Sequence, residues 1–137
     1  MKFSSLLASL AISSAFLGAS PANAQTFPSK PIRIIVPFAV GTALDIVARS
    51  IADGMSEDLG VAVVVDNRLG ASGVVGTDAV AKAPADGYTL GIGFNGPIAF
   101  GPFMFKKMPY DPAKDLLPIV LTTSQPNVLA VPAAHPA

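Results

Sequence analysis

Glycines surround a lone serine in the segment "RLGASGVVG", where an apolar run ends and a helical pattern begins. Such a junction can hold a nucleophile or an anion, because a helix N-terminus presents free N–H groups. Gly70, Gly73 and Gly76 follow the spacing G-x-x-G-x-x-G rather than the dinucleotide spacing G-x-G-x-x-G, and the chain contains no G-K-S/T. The pattern therefore does not predict a nucleotide cofactor.

Ser72 is the candidate nucleophile of this junction. A serine hydrolase would need a histidine partner and an elbow of the G-x-S-x-G type. The elbow is absent, and the single histidine, His135, lies near the end of the chain. We favour Ser72 as a helix N-cap, and an exported serine hydrolase is the alternative function. One histidine, no cysteine and scattered carboxylates show no metal-ligand spacing.

Three further polar residues could act at a binding site. Asp45 could be a catalytic acid, but with Thr42 it forms the T-x-x-D pattern of a capping box, which predicts a helix start there. Arg68 could pair with a carboxylate or simply lie on the surface. Asn95, followed by Gly96, offers both a donor and an acceptor, or shapes a turn.

These residues lie on a pattern in which strands and helices alternate. The predicted order is a strand at Ile32–Val36, a helix from Thr42 to a C-cap at Gly60, a strand at Val61–Asn67, a helix from near Ser72 and a strand at Tyr88–Phe94. Irregular helical turns follow in "IAFGPFMFKKMPYDP", then short strands in "LPIVLTT" and "NVLAVP". The alternation predicts an α/β fold with a parallel-rich sheet and flanking helices. A solvent-exposed charged stripe is expected on the first helix, at Asp45, Arg49, Asp53 and Glu57.

Ligands of such sheets bind beyond the carboxyl ends of the strands. Three loops are predicted at that edge, Pro37–Thr42, Asn67–Gly73 and Phe94–Ile98, and all are rich in glycine, proline and small polar residues. Two helix N-termini, after Gly41 and after Gly70, are expected to converge there. Because each presents main-chain N–H groups and a positive partial charge, the edge suits a carboxylate.

A secretory signal peptide is predicted at residues 1–24. Lys2 precedes the apolar stretch Phe3–Leu17, Pro21 follows, and Ala22-Asn23-Ala24 fits the small-x-small cleavage rule. Cleavage after Ala24 would leave residues 25–137 as one small exported domain. The nine Lys and Arg side chains balance the nine Asp and Glu side chains, so the composition gives no reason to expect a nucleic-acid partner.

Five segments occur in a fixed order along residues 25–137: "FPSKPIRIIVPF", "GTALDIVAR", "VVVDNRLGASGVVGTDAVAKAPADGYTL", "MPYDPAKDLLPI" and "PNVLAVP". Together they resemble the solute-binding receptors of the tripartite tricarboxylate transporter system, the Bug or TctC-like proteins. The resemblance implies a type II periplasmic-binding-protein fold, in which two α/β domains close on a small organic carboxylate. It also implies a periplasmic location, a membrane permease as partner, no cofactor and no enzymatic activity.

The resemblance further places ligand contacts, mostly through the main chain, in the three loops. The candidate ligand-binding residues are Phe38, Ala39, Ala71, Ser72, Gly73, Asn95 and Gly96. The chain departs from the family where Gly41-Thr42 replaces two glycines, and where Asn95-Gly96-Pro97-Ile98 replaces a small hydroxyl residue and a threonine-histidine pair. The resemblance therefore does not fix the solute. Because family members are much longer, we expect residues 25–137 to be a truncated N-terminal α/β lobe, with a non-functional truncated gene product as the alternative.

Overall fold

The computed structural model describes residues 26–125 and positions 128, 130, 132 and 133. The predicted signal peptide and its cleavage site lie outside these residues. Three parallel strands form one sheet: β1 (Ile32–Val36), β2 (Val63–Asn67) and β3 (Thr89–Gly91). The strand order is β2-β1-β3, so the first of the described strands is the central strand of the sheet.

Helices connect the strands, as expected from the alternating pattern. Helix α1 (Ala43–Leu59) joins β1 to β2, and a 3-10 turn at Ala71–Gly73 leads into α2 (Val74–Ala81), which joins β2 to β3. A wide helical turn of the π type (Gly96–Phe100) and the short helix α3 (Gly101–Met104) follow β3. The predicted β-α-β-α-β order and the irregular turns after the third strand are therefore confirmed.

Helix α1 covers one face of the sheet. Ile34 and Val36 of β1 pack there against Ala48 and Ala52 of the helix, and all four residues are buried. The small alanine side chains allow the helix to approach β1 closely, and larger partly buried side chains surround this contact. The surrounding residues are Leu44, Ile51, Met55, Val63, Val65, Leu90 and Ile92.

Helix α2 covers the opposite face. Ile35 points to that face because successive residues of a strand alternate in direction, and its side chain is fully buried. Gly91 lies opposite Ile35 in the ladder, and a Cβ atom at Gly91 would come within 2.6 Å of Val80 on α2. The sheet is thus sandwiched between two helices, and the consecutive β-branched residues Ile34, Ile35 and Val36 of β1 reflect burial on both faces.

The ends of α1 are partly as predicted. Gly60 is the C-cap, with φ 66° and its amide donating to the Ser56 carbonyl at 3.1 Å, the left-handed ending that glycine favours. The helix does begin after Thr42, but the predicted capping box is wrong. The Thr42 hydroxyl donates to the Ala39 carbonyl instead of accepting from the helix, and the Asp45 carboxylate accepts from the Gly41 amide.

The predicted strand in "LPIVLTT" is also wrong. The segment has no regular structure, and Leu117 and Leu121 are 87% and 82% exposed. A β-branched apolar run becomes a strand only when another strand offers it hydrogen bonds, and none of the described residues does so here. Half of the predicted strand in "NVLAVP" lies outside the described residues. In the part of the chain that the structure describes, no helix is long and apolar enough to cross a bilayer.

Candidate functional site

The three loops that follow the strands meet at one edge of the sheet. The rings of Phe38 and Phe94, from the first and third loops, contact each other edge to face with centroids 5.7 Å apart. Gly73 of the second loop lies between these loops. A Cβ atom there would come within 2.8 Å of the Phe94 ring and 3.3 Å of the Pro37 carbonyl oxygen. The expected convergence of the three loops is therefore present in the structure.

The first loop is a tight turn from Ala39 to Thr42. The Thr42 amide and hydroxyl both donate to the Ala39 carbonyl, at 3.4 and 2.7 Å. Gly41, third in the turn, has φ 81°, which is the left-handed value that a type II turn requires at that position. The side-chain amide of Asn67, at the end of β2, donates to the Phe38 carbonyl at 3.1 Å. Side chains thus hold the first loop from two sides.

Asp45 connects the first loop, helix α1 and strand β2 through hydrogen bonds. The prediction that it lies on an exposed charged stripe is wrong. The residue is 2% exposed. Its carboxylate accepts from Arg49 Nε at 3.0 Å, from the Gly41 amide at 2.9 Å and from Asn67 Nδ2 at 3.0 Å. Spacing along the helix could not show this burial, because Asn67 comes from strand β2.

The bonds from Arg49, Gly41 and Asn67 lower the pKa of Asp45 to about 2. The carboxyl group is therefore ionised near neutral pH and is no proton donor there. Its position in the first turn of α1 also has an electrostatic effect. The positive end of that helix already faces a carboxylate of the protein, whose charge Arg49 balances.

The second loop is shaped by its backbone. Four successive residues have positive φ: Gly70 at 135°, Ala71 at 45°, Ser72 at 53° and Gly73 at 93°. Glycine adopts such values freely, but Ala71 and Ser72 do so at a cost. The Gly70 carbonyl accepts from the amides of Gly73 and Val75, which closes the loop onto the start of α2.

The predicted role of Ser72 as N-cap is wrong. Gly73 is the N-cap of α2, and no side chain makes a capping hydrogen bond there. The left-handed conformation of Ser72 turns the residue out of the capping position, and both Ala71 and Ser72 are exposed at the loop surface. His135, the candidate partner for a serine nucleophile, lies outside the described residues.

The third loop is held from below by Tyr110. Its hydroxyl donates to the carbonyl of Pro97 at 3.0 Å, and both residues are buried. Burial raises the pKa of the Tyr110 hydroxyl. Asn95 is exposed, at the start of the wide helical turn, and a Cβ atom at Gly96 would come within 2.8 Å of the Phe94 ring. Asn95 and Gly96 therefore lie beside the aromatic pair of Phe38 and Phe94.

Arg68 is not a free cation at this edge. Its Nε atom pairs with the Asp66 carboxylate at 2.9 Å, and Arg33 approaches the same carboxylate at 3.8 Å.

Gly76 is a packing residue that the sequence did not predict. A Cβ atom there would come within 2.6 Å of Pro37 and 2.7 Å of the Arg68 carbonyl. The regular spacing of glycines was the signal for this close approach.

The converging loops form an open surface. Two open depressions of ≈ 340 and ≈ 460 Å³ lie elsewhere, one beside Tyr110 and Met108 and one beside Tyr88 at the amino ends of the strands. Within residues 26–125, no group of three His, Cys, Asp or Glu side chains is arranged to hold a metal ion. What the loop edge offers a ligand is main-chain N–H groups, an aromatic pair and the N-terminus of α2, whereas Asp45 already occupies the N-terminus of α1.

The profile of the tripartite tricarboxylate transporter family receptor matches residues 47–137. The chain belongs to this receptor family. BugT from Bordetella pertussis is 44% identical to it over 131 residues, which are 94% of this chain and 40% of BugT. A UPF0065 protein from Pseudomonas sp. is 42% identical over 128 residues, 93% of this chain and 38% of that protein. The chain thus spans about two fifths of the length of these receptor-family relatives.

Solved structures agree with this assignment. MatC from Rhodopseudomonas palustris with bound malate has a TM-score of 0.62 at 39% identity, covering 65% of this chain and 30% of MatC. An R. palustris protein with adipate has a TM-score of 0.61 at 44% identity, covering 64% of this chain and 29% of that protein. The periplasmic binding protein BugD gives 0.61 at 40% identity, with 65% and 29% covered. The receptor family's type II periplasmic-binding-protein-like α/β fold is therefore confirmed, and this chain carries part of it.

Proposed function

We propose that this chain forms the ligand-binding N-terminal lobe, residues 25–137, of a periplasmic solute receptor that captures a small organic carboxylate for a tripartite tricarboxylate-type transporter. The observation that carries the proposal is the meeting of three loops around Gly73, at the carboxyl edge of a parallel sheet. Such edges are the usual ligand sites of open α/β sheets. The membrane permease of the transporter would be the partner of the receptor.

The charges at this edge favour a ligand held by the main chain. Arg49 and Arg68 each pair with an aspartate of the protein, so each guanidinium already has a carboxylate partner. A carboxylate would instead accept hydrogen bonds from main-chain N–H groups of the three loops and from the N-terminus of α2. The residues proposed to contact it are Phe38, Ala39, Ala71, Ser72, Gly73, Asn95 and Gly96.

The strained second loop supports this assignment. Ala71 and Ser72 both have left-handed backbones, and residues kept in such conformations cluster at ligand-binding sites. Relatives add support for the ligand class, since one is solved with malate and another with adipate. We propose the same class for this chain, a compound with one or more carboxylates.

Export of the chain is part of the proposal. Residues 1–24 would direct secretion, and cleavage after Ala24 would release the receptor into the periplasm. Mass spectrometry of the periplasmic fraction should find a chain that begins at Gln25. A full-length chain retained in the inner membrane would contradict this part of the proposal and leave the binding proposal standing.

Isothermal titration calorimetry tests the binding proposal. Succinate, malate, adipate and citrate would be titrated into the protein, with adipamide as a neutral control matched to adipate in length. We expect saturable heat from at least one carboxylate and none from adipamide. Equal responses to adipate and adipamide, or none to any carboxylate, would overturn the proposal. Ester hydrolysis lost in Ser72→Ala would instead support the hydrolase alternative.

A further inference from the structure

We infer that Thr42 and Asn67 are positioning residues that aim the N–H groups of Ala39 and Val40 at the ligand. The inference rests on the proposed function and deepens it, because it names two donors and the side chains that orient them. Val40 lies outside the set of candidate residues taken from the sequence.

The geometry of the peptide group carries the inference. The bonds Phe38–Ala39 and Ala39–Val40 are both trans, and in a planar trans peptide the carbonyl and the N–H point in opposite directions. Asn67 Nδ2 binds the Phe38 carbonyl, so the Ala39 N–H points away from Asn67. The Thr42 hydroxyl binds the Ala39 carbonyl, so the Val40 N–H points away from Thr42.

Both N–H groups are available to a ligand. Within residues 26–125, no backbone or side-chain group accepts a hydrogen bond from the amide of Ala39 or of Val40. Ala39 is partly exposed, and Val40 is 68% exposed. Both follow Phe38, whose ring contacts Phe94 of the third loop. Two consecutive donors are therefore presented beside the point where the loops meet.

The Asn67 side chain is itself fixed in orientation. Its Nδ2 group donates to Asp45 Oδ1 at 3.0 Å as well as to the Phe38 carbonyl, and its Oδ1 atom accepts from Arg49 Nη2 at 3.4 Å. Since Asp45 offers only acceptors and Arg49 only donors, the amide of Asn67 cannot reverse without losing bonds. The Asp45–Arg49 pair thus holds Asn67 in the orientation that the first loop needs.

Thr42 allows a matched test. Thr42→Val keeps the side-chain shape and removes the hydroxyl donor, whereas Thr42→Ser keeps the donor. The wild-type chain and both variants would be labelled with ¹⁵N and titrated with malate and with adipate. The changes in amide chemical shift identify the N–H groups that respond, and the titration curve gives the Kd.

We expect saturable shifts of the Ala39 and Val40 amides in the wild type. Binding to Thr42→Val should have a Kd about fivefold higher, which is the scale of one lost hydrogen bond. Binding to Thr42→Ser should have a Kd close to that of the wild type. Melting temperatures would be recorded for all forms, and Thr42→Ala would replace Thr42→Val if the latter does not fold. Asn67→Leu should weaken binding independently, with its largest change at the Ala39 amide.

Two failures have different meanings. If the wild type binds a carboxylate but Thr42→Val binds as tightly as Thr42→Ser, or the responding amides lie elsewhere, the positioning role is wrong and the proposed function stands. If no carboxylate gives a saturable response in the wild type, the proposed function is overturned, and this inference with it.

Discussion

The first and second loops of the candidate site present main-chain groups at the same edge, yet they keep their shapes in different ways. The first loop is held by side chains, since Asn67, Thr42 and Asp45 each bind one of its backbone groups. The second loop is held by backbone conformation, with left-handed residues from Gly70 to Gly73. Apart from the left-handed Gly41, the first loop therefore depends on side-chain hydrogen bonds, whereas the second loop depends on its backbone conformation.

The difference determines which substitutions each loop tolerates. A loop held by side chains should be sensitive to the loss of a single donor or acceptor at residues outside the loop itself. A loop held by its backbone should be sensitive to added Cβ atoms and insensitive to polar changes. The four variants below test this contrast, from the largest expected effect to the smallest.

Gly73→Val should have the largest effect. The residue has φ 93°, and a Cβ atom there would come within 2.8 Å of the Phe94 ring, so the variant would combine backbone strain with a displaced third loop. We expect a loss of about 2 kcal/mol or more in stability and loss of carboxylate binding, measured by thermal unfolding and calorimetry.

Gly54→Ala is the control for Gly73→Val. Gly54 lies within α1, and a Cβ atom there would meet nothing within 4 Å, so this variant should gain about 0.5–1 kcal/mol in stability. Normal binding by Gly73→Val would mean that the second loop does not approach the ligand.

Asp45→Asn should come next. The amide that replaces the carboxylate offers one acceptor in place of two, so it cannot satisfy Gly41, Arg49 and Asn67 together. We expect Tm to fall by several degrees and binding to weaken, because the first loop loses its anchor. Asp53→Asn, at an exposed position on the same helix, should leave both unchanged.

The same variant has a pH signature. The pKa of Asp45 lies near 2 in the folded protein and has an ordinary value of 3.8. The ionised form therefore stabilises the fold above about pH 4, and this contribution is lost as the pH falls from about 4 to about 2. The stability difference between wild type and Asp45→Asn should shrink over that range. A constant difference would show that the charge of Asp45 does not stabilise the fold.

Ser72→Gly should stabilise the protein. The left-handed backbone of Ser72 is costly for a residue with a Cβ atom, and glycine removes that cost, for a gain of about 0.5–1 kcal/mol. Ser50→Gly in the regular part of α1 is the matched control and should lose a similar amount. Destabilisation by both variants in chemical unfolding would mean that the second loop is not strained.

Arg68→Ala should have the smallest effect. The guanidinium is exposed and pairs with Asp66, and exposed pairs of this kind contribute about 0–1 kcal/mol. We expect carboxylate binding to weaken by no more than about 1 kcal/mol, the scale of one hydrogen bond. Complete loss of binding in calorimetry would show that a salt bridge, and not the main chain, holds the ligand.

The sequence predicted what depends on local pattern. The alternation of apolar runs gave the order of strands and helices, and Gly60 marked the end of α1 because a left-handed C-cap needs glycine. The three loops followed from that order, since the carboxyl ends of parallel strands share one edge. Whether the candidate residues in those loops bind a ligand stays a prediction.

Contacts between distant residues could not be read in the same way. Asp45 looked like part of a solvated stripe because its contact with Asn67 comes from strand β2, 22 residues further along the chain. Ser72 looked like a helix cap because serine is a common N-cap residue. The residue type does not reveal that the backbone at this position is left-handed. The run at 117–123 looked like a strand because its composition does not show whether a neighbouring strand is present.

Of the three described strands, the central strand β1 is the first to be synthesised. Its two neighbours come later in the chain, and the ladder is complete only when Leu90 can pair with Ile34. Closing such long connections is slow, because the chain loses entropy before the contacts form. Until β3 arrives, one edge of β1 has no partner strand. While β1 lacks β3, its unpaired edge can therefore pair with other chains, which favours aggregation of the nascent chain.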